Sequence, residues 1–167
     1  MNIKKLYVVR HAKSSWGDAN AADFDRTLND RGKRDAPVMA KRLKDRDVQI
    51  DHFISSPAKR AKSTCKAFCK VYGYDEKDIQ FIDALYHAPV DTFKRVVASI
   101  DDSHASVAIF SHNPGITEFV NTLVPGVHVD NMPTCAVFAV QFSTEKWEDF
   151  LDVERNFLFI DYPKLSS

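Results

Sequence analysis

The chain has 167 residues, a length typical of one domain that buries a single hydrophobic core. Its 23 basic and 23 acidic side chains give a formal net charge of zero, which argues against a nucleic-acid partner or a polybasic membrane-binding surface. No apolar run is long enough to span a bilayer. The first residues lack a signal-peptide pattern, and the 3 cysteines lack metal-ligand spacing, so we expect a cytoplasmic protein with reduced thiols.

The first apolar run, residues 6–9, predicts a buried strand because it is continuous rather than alternating. Arg10 and His11 follow at its C-terminal end, where open α/β sheets place their binding crevice. Arginine grips phosphate oxygens bidentately, and a neutral imidazole is a nitrogen nucleophile at neutral pH. The pair therefore indicates phosphoryl chemistry, although a strand that simply ends in a basic residue and a partly satisfied histidine gives the same pattern.

A polar loop is predicted over residues 12–28, and Asn29 is the expected N-cap of a helix that Pro37 should kink or restart near Asp35. Further strands are predicted at residues 52–56, 79–82, 106–110, 136–142 and 157–160. Further helices are predicted over residues 61–72, ended by Gly73, from a cap at Asp91, and from Gly115. This alternation predicts one α/β domain over residues 1–167, a three-layer α/β/α sandwich with a mostly parallel central sheet.

Three of the predicted strands end in residues suited to binding an anion. The first ends in Arg10 and His11, the second leads to Arg60 at the start of a helix, and the fourth leads to His112 before another helix. If these strands are parallel neighbours, the three turns meet at one edge of the sheet. Two arginines, two histidines and two helix N-termini would then surround one point, which predicts a strong anion site.

These same segments carry a family resemblance. Residues 10–16, Arg-His-Ala-Lys-Ser-Ser-Trp, resemble the Arg-His-Gly signature of the histidine phosphatase, or phosphoglycerate-mutase-like, superfamily. Residues 55–64 resemble its Ser-Ser-Pro-x-x-Arg-Ala-x-x-Thr motif, and residues 111–115 resemble its late Gly-His-Asn-Pro segment. Residues 24–32 are similar to a loop of its short members, the SixA-type phosphohistidine phosphatases. The matches cover most of the chain and occur in the family's order.

The resemblance implies a phosphoglycerate-mutase-like fold and a covalent mechanism. His11 would attack phosphorus and become a phosphohistidine intermediate that water hydrolyses. Arg10, Arg60 and His112 would hold the phosphoryl oxygens, and a phosphate or sulfate ion would bind in the same pocket. No metal or other cofactor is expected, because the arginines and a protonated histidine would supply the positive charge.

The proton donor departs from the family pattern. Many members carry a glutamate after the third strand, where this chain has His87, which is either the acid or a histidine at the rim. Asp18 and Asp83 are weaker candidates for the same role. A weak acid favours a leaving group that needs little protonation, and imidazole, with a pKa of about 6.5, is such a group.

We therefore expect the substrate to be a phosphohistidine-bearing protein, with neither a nucleic acid nor a membrane as partner. A small-metabolite phosphomonoesterase of the same superfamily and a catalytically weak phosphate-binding pseudoenzyme remain open alternatives.

Overall fold

The computed structural model describes residues 2–16 and 22–165. One sheet contains six strands, which are β1 (Ile3–Arg10), β2 (His52–Ser55), β3 (Gln80–Phe81), β4 (Ser106–Ser111), β5 (Val137–Ser143) and β6 (Arg155–Asp161). The α-helices of these ranges are α1 (Asp30–Asp45), α2 (Lys59–Tyr72), α3 (Val90–Ala98) and α4 (Gly115–Val120). Short 3-10 helices lie at Asp23–Asp25, Glu76–Asp78, Asp83–Leu85 and Trp147–Asp149. No helix within the described ranges has both the length and the apolar character that a membrane crossing requires.

The sheet has the strand order β3-β2-β4-β1-β5-β6. Strands β3, β2, β4 and β1 are parallel, whereas β5 pairs antiparallel with both β1 and β6. In this register Arg10 lies opposite Ser111, and Ser55 lies opposite Phe110. The C-terminal ends of β1, β4 and β2 therefore meet at one edge of the sheet, as the sequence predicts.

Alternate side chains of β1 enter two separate cores, as the period of a strand requires. Leu6 and Val8 pack in the cluster that contains the apolar side chains of α3 and α4. Tyr7 and Val9 pack in the cluster that contains those of α1 and α2. The helices thus cover both faces of the sheet, and the predicted three-layer sandwich with a mostly parallel sheet is confirmed.

Helix α1 begins where the sequence predicts, because the side chain of Asn29 accepts a hydrogen bond from the Gly32 N–H at 2.9 Å. The predicted restart near Asp35 is wrong. The helix continues through Pro37, since a proline removes only one backbone donor and the apolar face of α1 is buried on the sheet.

Two further boundaries differ from the sequence prediction. Helix α3 begins directly after Pro89 with no side-chain cap, so the predicted capping role of Asp91 is wrong and its carboxylate lies in the first turn. A carboxylate in the first turn still interacts favourably with the helix dipole. The strand predicted at residues 79–82 is reduced to the two residues of β3.

Candidate active site

The backbone of His11 is fixed on both sides at the end of β1. Its N–H donates to the Ser111 carbonyl at 3.2 Å, and its carbonyl accepts from the Cys135 N–H at 3.0 Å. The next residue, Ala12, donates its N–H to the Thr64 hydroxyl at 2.9 Å, and that hydroxyl donates to the Arg60 carbonyl at 2.8 Å. The ends of β1 and β4 and the first turn of α2 are thereby joined around one histidine.

The imidazole of His11 is oriented with one nitrogen available for chemistry. Nδ1 lies 2.7 Å from the Ala12 carbonyl oxygen, and because a carbonyl only accepts, Nδ1 carries the proton. Burial is the main cause that lowers the pKa of His11 to about 3; the Ala12 hydrogen bond opposes this shift, and the positive charges of Arg60, Arg10 and Arg26 add to it. The ring is therefore neutral at neutral pH, and Nε2 has a free lone pair.

Three arginines contribute positive charge around this ring. Arg10 donates from Nη1 to the Met132 carbonyl at 2.8 Å. Arg60, buried at the start of α2, donates from Nη1 to the Asp23 carbonyl at 2.6 Å. Arg26 donates to the Ser14 hydroxyl, and its guanidinium lies 3.6 Å from the ring centroid of the exposed Trp16. Each arginine is thus held by groups that leave part of its donor set available.

The carboxylate of Asp23 contacts several side chains of the site. It accepts from Arg60 Nη2 at 3.0 Å and from the Tyr86 hydroxyl at 2.6 Å, and it lies 3.4 Å from Arg26 Nη1 and 3.3 Å from His87 Nε2. The hydrogen bond from Tyr86 and then that from Arg60 lower the pKa of Asp23 to about 2, in spite of partial desolvation. Asp23 is therefore ionised at neutral pH and cannot donate a proton to a leaving group.

His112 stands beside the proposed nucleophile, with its ring centroid 5.2 Å from that of His11. Its Nε2 lies 2.7 Å from the Ser56 hydroxyl oxygen. Burial is the main cause that lowers the pKa of His112 to about 2. The positive charges of Arg60, and of His11 and His87 when they are protonated, contribute to the same shift. In the ligand-free site this lowered pKa favours a neutral His112, in contrast to the protonated histidine expected from the sequence, and leaves the positive charge to the arginines.

One cavity of about 340 Å³ is lined by Arg10, His11, Lys13, Ser14, Trp16, Asp23, Arg26, Arg60, His87, His112, Asn113 and Thr134. Four lining residues each have one buried nitrogen without a hydrogen-bond partner in the described part of the chain, namely Nε of Arg10, Arg26 and Arg60, which are donors, and Nδ1 of His112, which is a donor when Ser56 donates to its Nε2. A buried unpaired donor costs free energy, and a phosphoryl group carries several strong acceptor oxygens. The cavity is thus suited to a phosphoryl group held next to His11 Nε2.

The structure places the candidate acids differently. His87 lines the cavity at its exposed side, with a left-handed backbone (φ 55°) and its ring 6.1 Å from that of His112. Asp83 is exposed and does not line the cavity. Asp18 lies outside the described residues. Across residues 2–16 and 22–165, no group of three His, Cys, Asp or Glu side chains is arranged to hold a metal ion.

Sequence reasoning brought Arg10, His11, Arg60, His87 and His112 together correctly but missed two residues that line the cavity and two that hydrogen-bond to its lining residues. Asp23, Arg26, Tyr86 and Ser56 were not singled out, although Ser56 and Arg26 lie inside quoted motifs. The available signal was the Asp23-x-x-Arg26 spacing in a long polar loop. An acidic residue in such a loop can orient an arginine that belongs to another element.

Comparison with known proteins identifies a family for this chain. A family model described as the histidine phosphatase superfamily (branch 1) matches residues 6–87, which include Arg10, His11, Arg60 and His87. The chain belongs to the histidine phosphatase superfamily. The family match and the SixA-type structural neighbours support a phosphatase, a hydrolase of phosphoryl groups.

Solved structures place this histidine phosphatase among SixA-type folds. A protein assigned as the phosphohistidine phosphatase SixA of Agrobacterium tumefaciens shares 25% identity with a TM-score of 0.79, over 96% of this chain and 98% of that one. The protein histidine phosphatase SixA in complex with tungstate has 23% identity and a TM-score of 0.80, over 95% and 97% of the two chains. At 23% identity, the similarity to the tungstate complex supports a shared fold and no more.

Two sequence relatives of this histidine phosphatase carry no assigned activity. An uncharacterized chloroplastic protein of Arabidopsis thaliana is 27% identical over 154 residues, or 87% of this chain and 70% of that protein. An uncharacterized protein of Mycobacterium leprae is 31% identical over 112 residues, or 65% of this chain and 66% of that protein.

Proposed function

We propose that this phosphatase hydrolyses phosphohistidine on a protein, with His11 as the nucleophile. The observation that carries the proposal is the buried, neutral His11, protonated on Nδ1, beside buried nitrogens of Arg10, Arg26, Arg60 and His112 that have no hydrogen-bond partner among the described residues. A neutral nitrogen and a set of donors around it are what an in-line attack on phosphorus requires.

The reaction has two displacements. The lone pair of His11 Nε2 forms a bond to phosphorus as the bond from phosphorus to the substrate's imidazole nitrogen breaks, and that nitrogen takes up a proton. Water then attacks the phosphorylated His11, the new N–P bond breaks, and inorganic phosphate leaves. Arg10, Arg26 and Arg60 offset the charge of the equatorial oxygens in both steps, and Nδ1 of His112 donates to one of them when Ser56 donates to its Nε2.

The few possible proton donors in the cavity support phosphohistidine as the substrate over an ordinary phosphate ester. Asp23 is the sole carboxylate among the described lining residues, and its pKa of about 2 removes it as a proton donor. His87 is left as the proton donor at the exposed side of the cavity. An alkoxide leaving group needs strong acid assistance, whereas imidazole, with a pKa of about 6.5, leaves with little. We therefore propose a substrate whose leaving group is itself a histidine.

The test compares wild type with His11→Ala on a phosphohistidine-bearing protein and on an aryl phosphate, with a chelator present throughout. We expect wild type to release phosphate from both substrates, faster from phosphohistidine, and His11→Ala to release none. A marked preference for sugar phosphates would instead identify a small-metabolite phosphomonoesterase. Phosphate binding without any turnover would identify a binding protein and contradict the proposal.

A further inference from the structure

A second cavity, of about 330 Å³, adjoins the catalytic cavity. It shares Arg10, Lys13 and Thr134 with that cavity. Its other walls come from the start of α1 and the segments next to β5 and β6, and they consist of Arg31, Asp35, Pro133, Tyr162, Pro163 and Lys164. The two cavities therefore lie side by side, with Arg10, Lys13 and Thr134 at their common boundary.

The charge of the second cavity is strongly positive. Arg10, Lys13, Arg31 and Lys164 face one carboxylate, that of Asp35, although the whole chain has a formal net charge of zero. Such a local excess of one sign attracts a ligand of the opposite sign. The chemistry of the cavity thus favours an anionic group.

Arg31 supplies an unpaired donor in this cavity. Its Nη2 donates to the Thr134 hydroxyl at 3.2 Å, which fixes the guanidinium against the wall. Its buried Nε lies 3.6 Å from the Asp35 carboxylate, too far for a hydrogen bond, and has no other partner within the described ranges. Arg10 repeats this arrangement, with Nη1 on the Met132 carbonyl and Nε unpaired.

The backbone around these side chains is closely packed. The Lys13 carbonyl accepts from the Asn29 N–H at 3.0 Å, and a Cβ atom on Gly32 would overlap that carbonyl oxygen. The start of α1 is therefore seated on the loop that follows the nucleophile. This contact sets Arg31 at a constant position relative to Lys13 and His11.

We propose that the second cavity binds a substrate carboxylate while the phosphoryl group occupies the catalytic cavity. The carboxylate is that of an aspartate or glutamate next to the phosphohistidine of the protein substrate, and Arg31 and Lys164 are the residues that select it. This inference rests on the proposed function. A free phosphorylated carboxylic acid presents the same chemistry, so the experiment separates these two sources.

The first experiment measures whether the second cavity binds a carboxylate, and it needs no knowledge of the natural substrate. Phosphonoacetate, 3-phosphonopropionate and 4-phosphonobutyrate compete with an aryl phosphate, each beside the alkylphosphonate that lacks the carboxylate. We expect at least one acid to bind wild type about tenfold more tightly than its counterpart, as one charge-assisted hydrogen bond provides. Equal binding of every acid and its counterpart would overturn the proposal.

The variants assign that preference to the cavity. In Arg31→Gln the ratio of the affinity for the acid to that for its alkylphosphonate should fall close to one. If Arg31→Gln does not fold, Lys164→Gln, a substitution at an exposed position, should lower the same ratio. The matched control is Arg34→Gln, which alters an exposed arginine of the same helix that lines neither cavity. A ratio that Arg31→Gln and Lys164→Gln both leave unchanged would contradict the assignment.

The second experiment identifies the source of the carboxylate. Two phosphohistidine peptides that differ by glutamate or glutamine beside the phosphohistidine are compared with phosphoglycolate. We expect about tenfold higher kcat/KM for the glutamate peptide, lost in Arg31→Gln. Faster turnover of phosphoglycolate than of the glutamate peptide would contradict a protein-borne carboxylate. A failure to hydrolyse either peptide would refute the proposed function, while the phosphonate ratios would still report on the cavity.

Discussion

The carbonyl oxygen of Ala12 lies 2.7 Å from Nδ1 of His11, and this contact determines which nitrogen of the proposed nucleophile is free. A backbone carbonyl accepts the Nδ1 proton and leaves Nε2 with its lone pair. The contact comes from the residue next in the chain, so no side-chain substitution removes it. The backbone therefore determines which nitrogen would carry phosphorus in the proposed covalent intermediate.

We predict that the trapped intermediate carries phosphorus on Nε2 of His11. Wild type quenched in base during turnover of an aryl phosphate should show this isomer by ³¹P and ¹⁵N NMR. In His112→Gln the same isomer should accumulate more slowly, because a donor to the phosphoryl group is lost. Phosphorus on Nδ1 would show that the Ala12 contact breaks before attack.

His87→Asn should separate substrates by leaving group. Asparagine tolerates the left-handed backbone of this position (φ 55°), so the substitution removes the imidazole without a new conformational strain. We expect kcat on an alkyl phosphate to fall about 100-fold or more, with little change on phosphohistidine, because general acid catalysis matters most for the poorer leaving group. An equal loss on both substrates would show that His87 positions the phosphoryl group instead of protonating the product.

Asp23→Asn should strengthen product binding. The asparagine oxygen can still accept from Arg60 and Tyr86, but the negative charge beside the phosphoryl site disappears. We expect inorganic phosphate to inhibit about fivefold more strongly, which corresponds to about 1 kcal/mol of relieved repulsion. Competitive inhibition against an aryl phosphate measures this, with the exposed Asp25→Asn as the control. Weaker inhibition would mean that Asp23 acts mainly by orienting Arg60.

The folded protein should lose stability as the pH falls below about 6.5. The pKa values of His11 and His112 are lowered to about 3 and about 2, whereas both groups take up protons near pH 6.5 in the unfolded chain. The unfolded state therefore binds more protons, and each group removes about 1.4 kcal/mol per pH unit below that value.

Urea unfolding of the phosphate-free protein between pH 6.5 and pH 4.5 tests this expectation. His112→Gln should show a slope shallower by about one proton, and the exposed His128→Gln should keep the wild-type slope. Identical slopes for wild type and His112→Gln would place a proton on His112 in the folded protein.

Gly32→Ala should destabilise the fold and reduce activity together. The added Cβ would overlap the Lys13 carbonyl oxygen, a backbone atom that cannot rotate away. We expect a loss of about 1–3 kcal/mol in the free energy of unfolding, as overpacking in a tight contact costs. Lys33→Ala, exposed on the same helix, is the control. Unchanged stability would show that α1 can shift away from the nucleophile loop.

The convergence of Arg10, His11, Arg60 and His112 was predictable, because each follows a buried apolar strand and parallel strands end at a common edge. Asp23 and Arg26 were not, because they reach the cavity from a polar loop whose path no periodicity determines. His112's neutral state also had to come from the structure, since burial outweighs its residue type. Tertiary packing likewise overrode Pro37, which a sequence pattern reads as a break in α1.

Three guanidinium groups line the catalytic cavity, and Asp23 is the one carboxylate among its described lining residues. Positive side chains therefore outnumber negative ones in the site. Free phosphate, as a dianion, is the counterion that completes it, and every molecule that binds the folded form raises its stability by mass action. We expect millimolar phosphate to raise the melting temperature and, for the same reason, to slow turnover by remaining in the site. Inorganic phosphate would thus act as both a stabiliser of this enzyme and a limit on its rate.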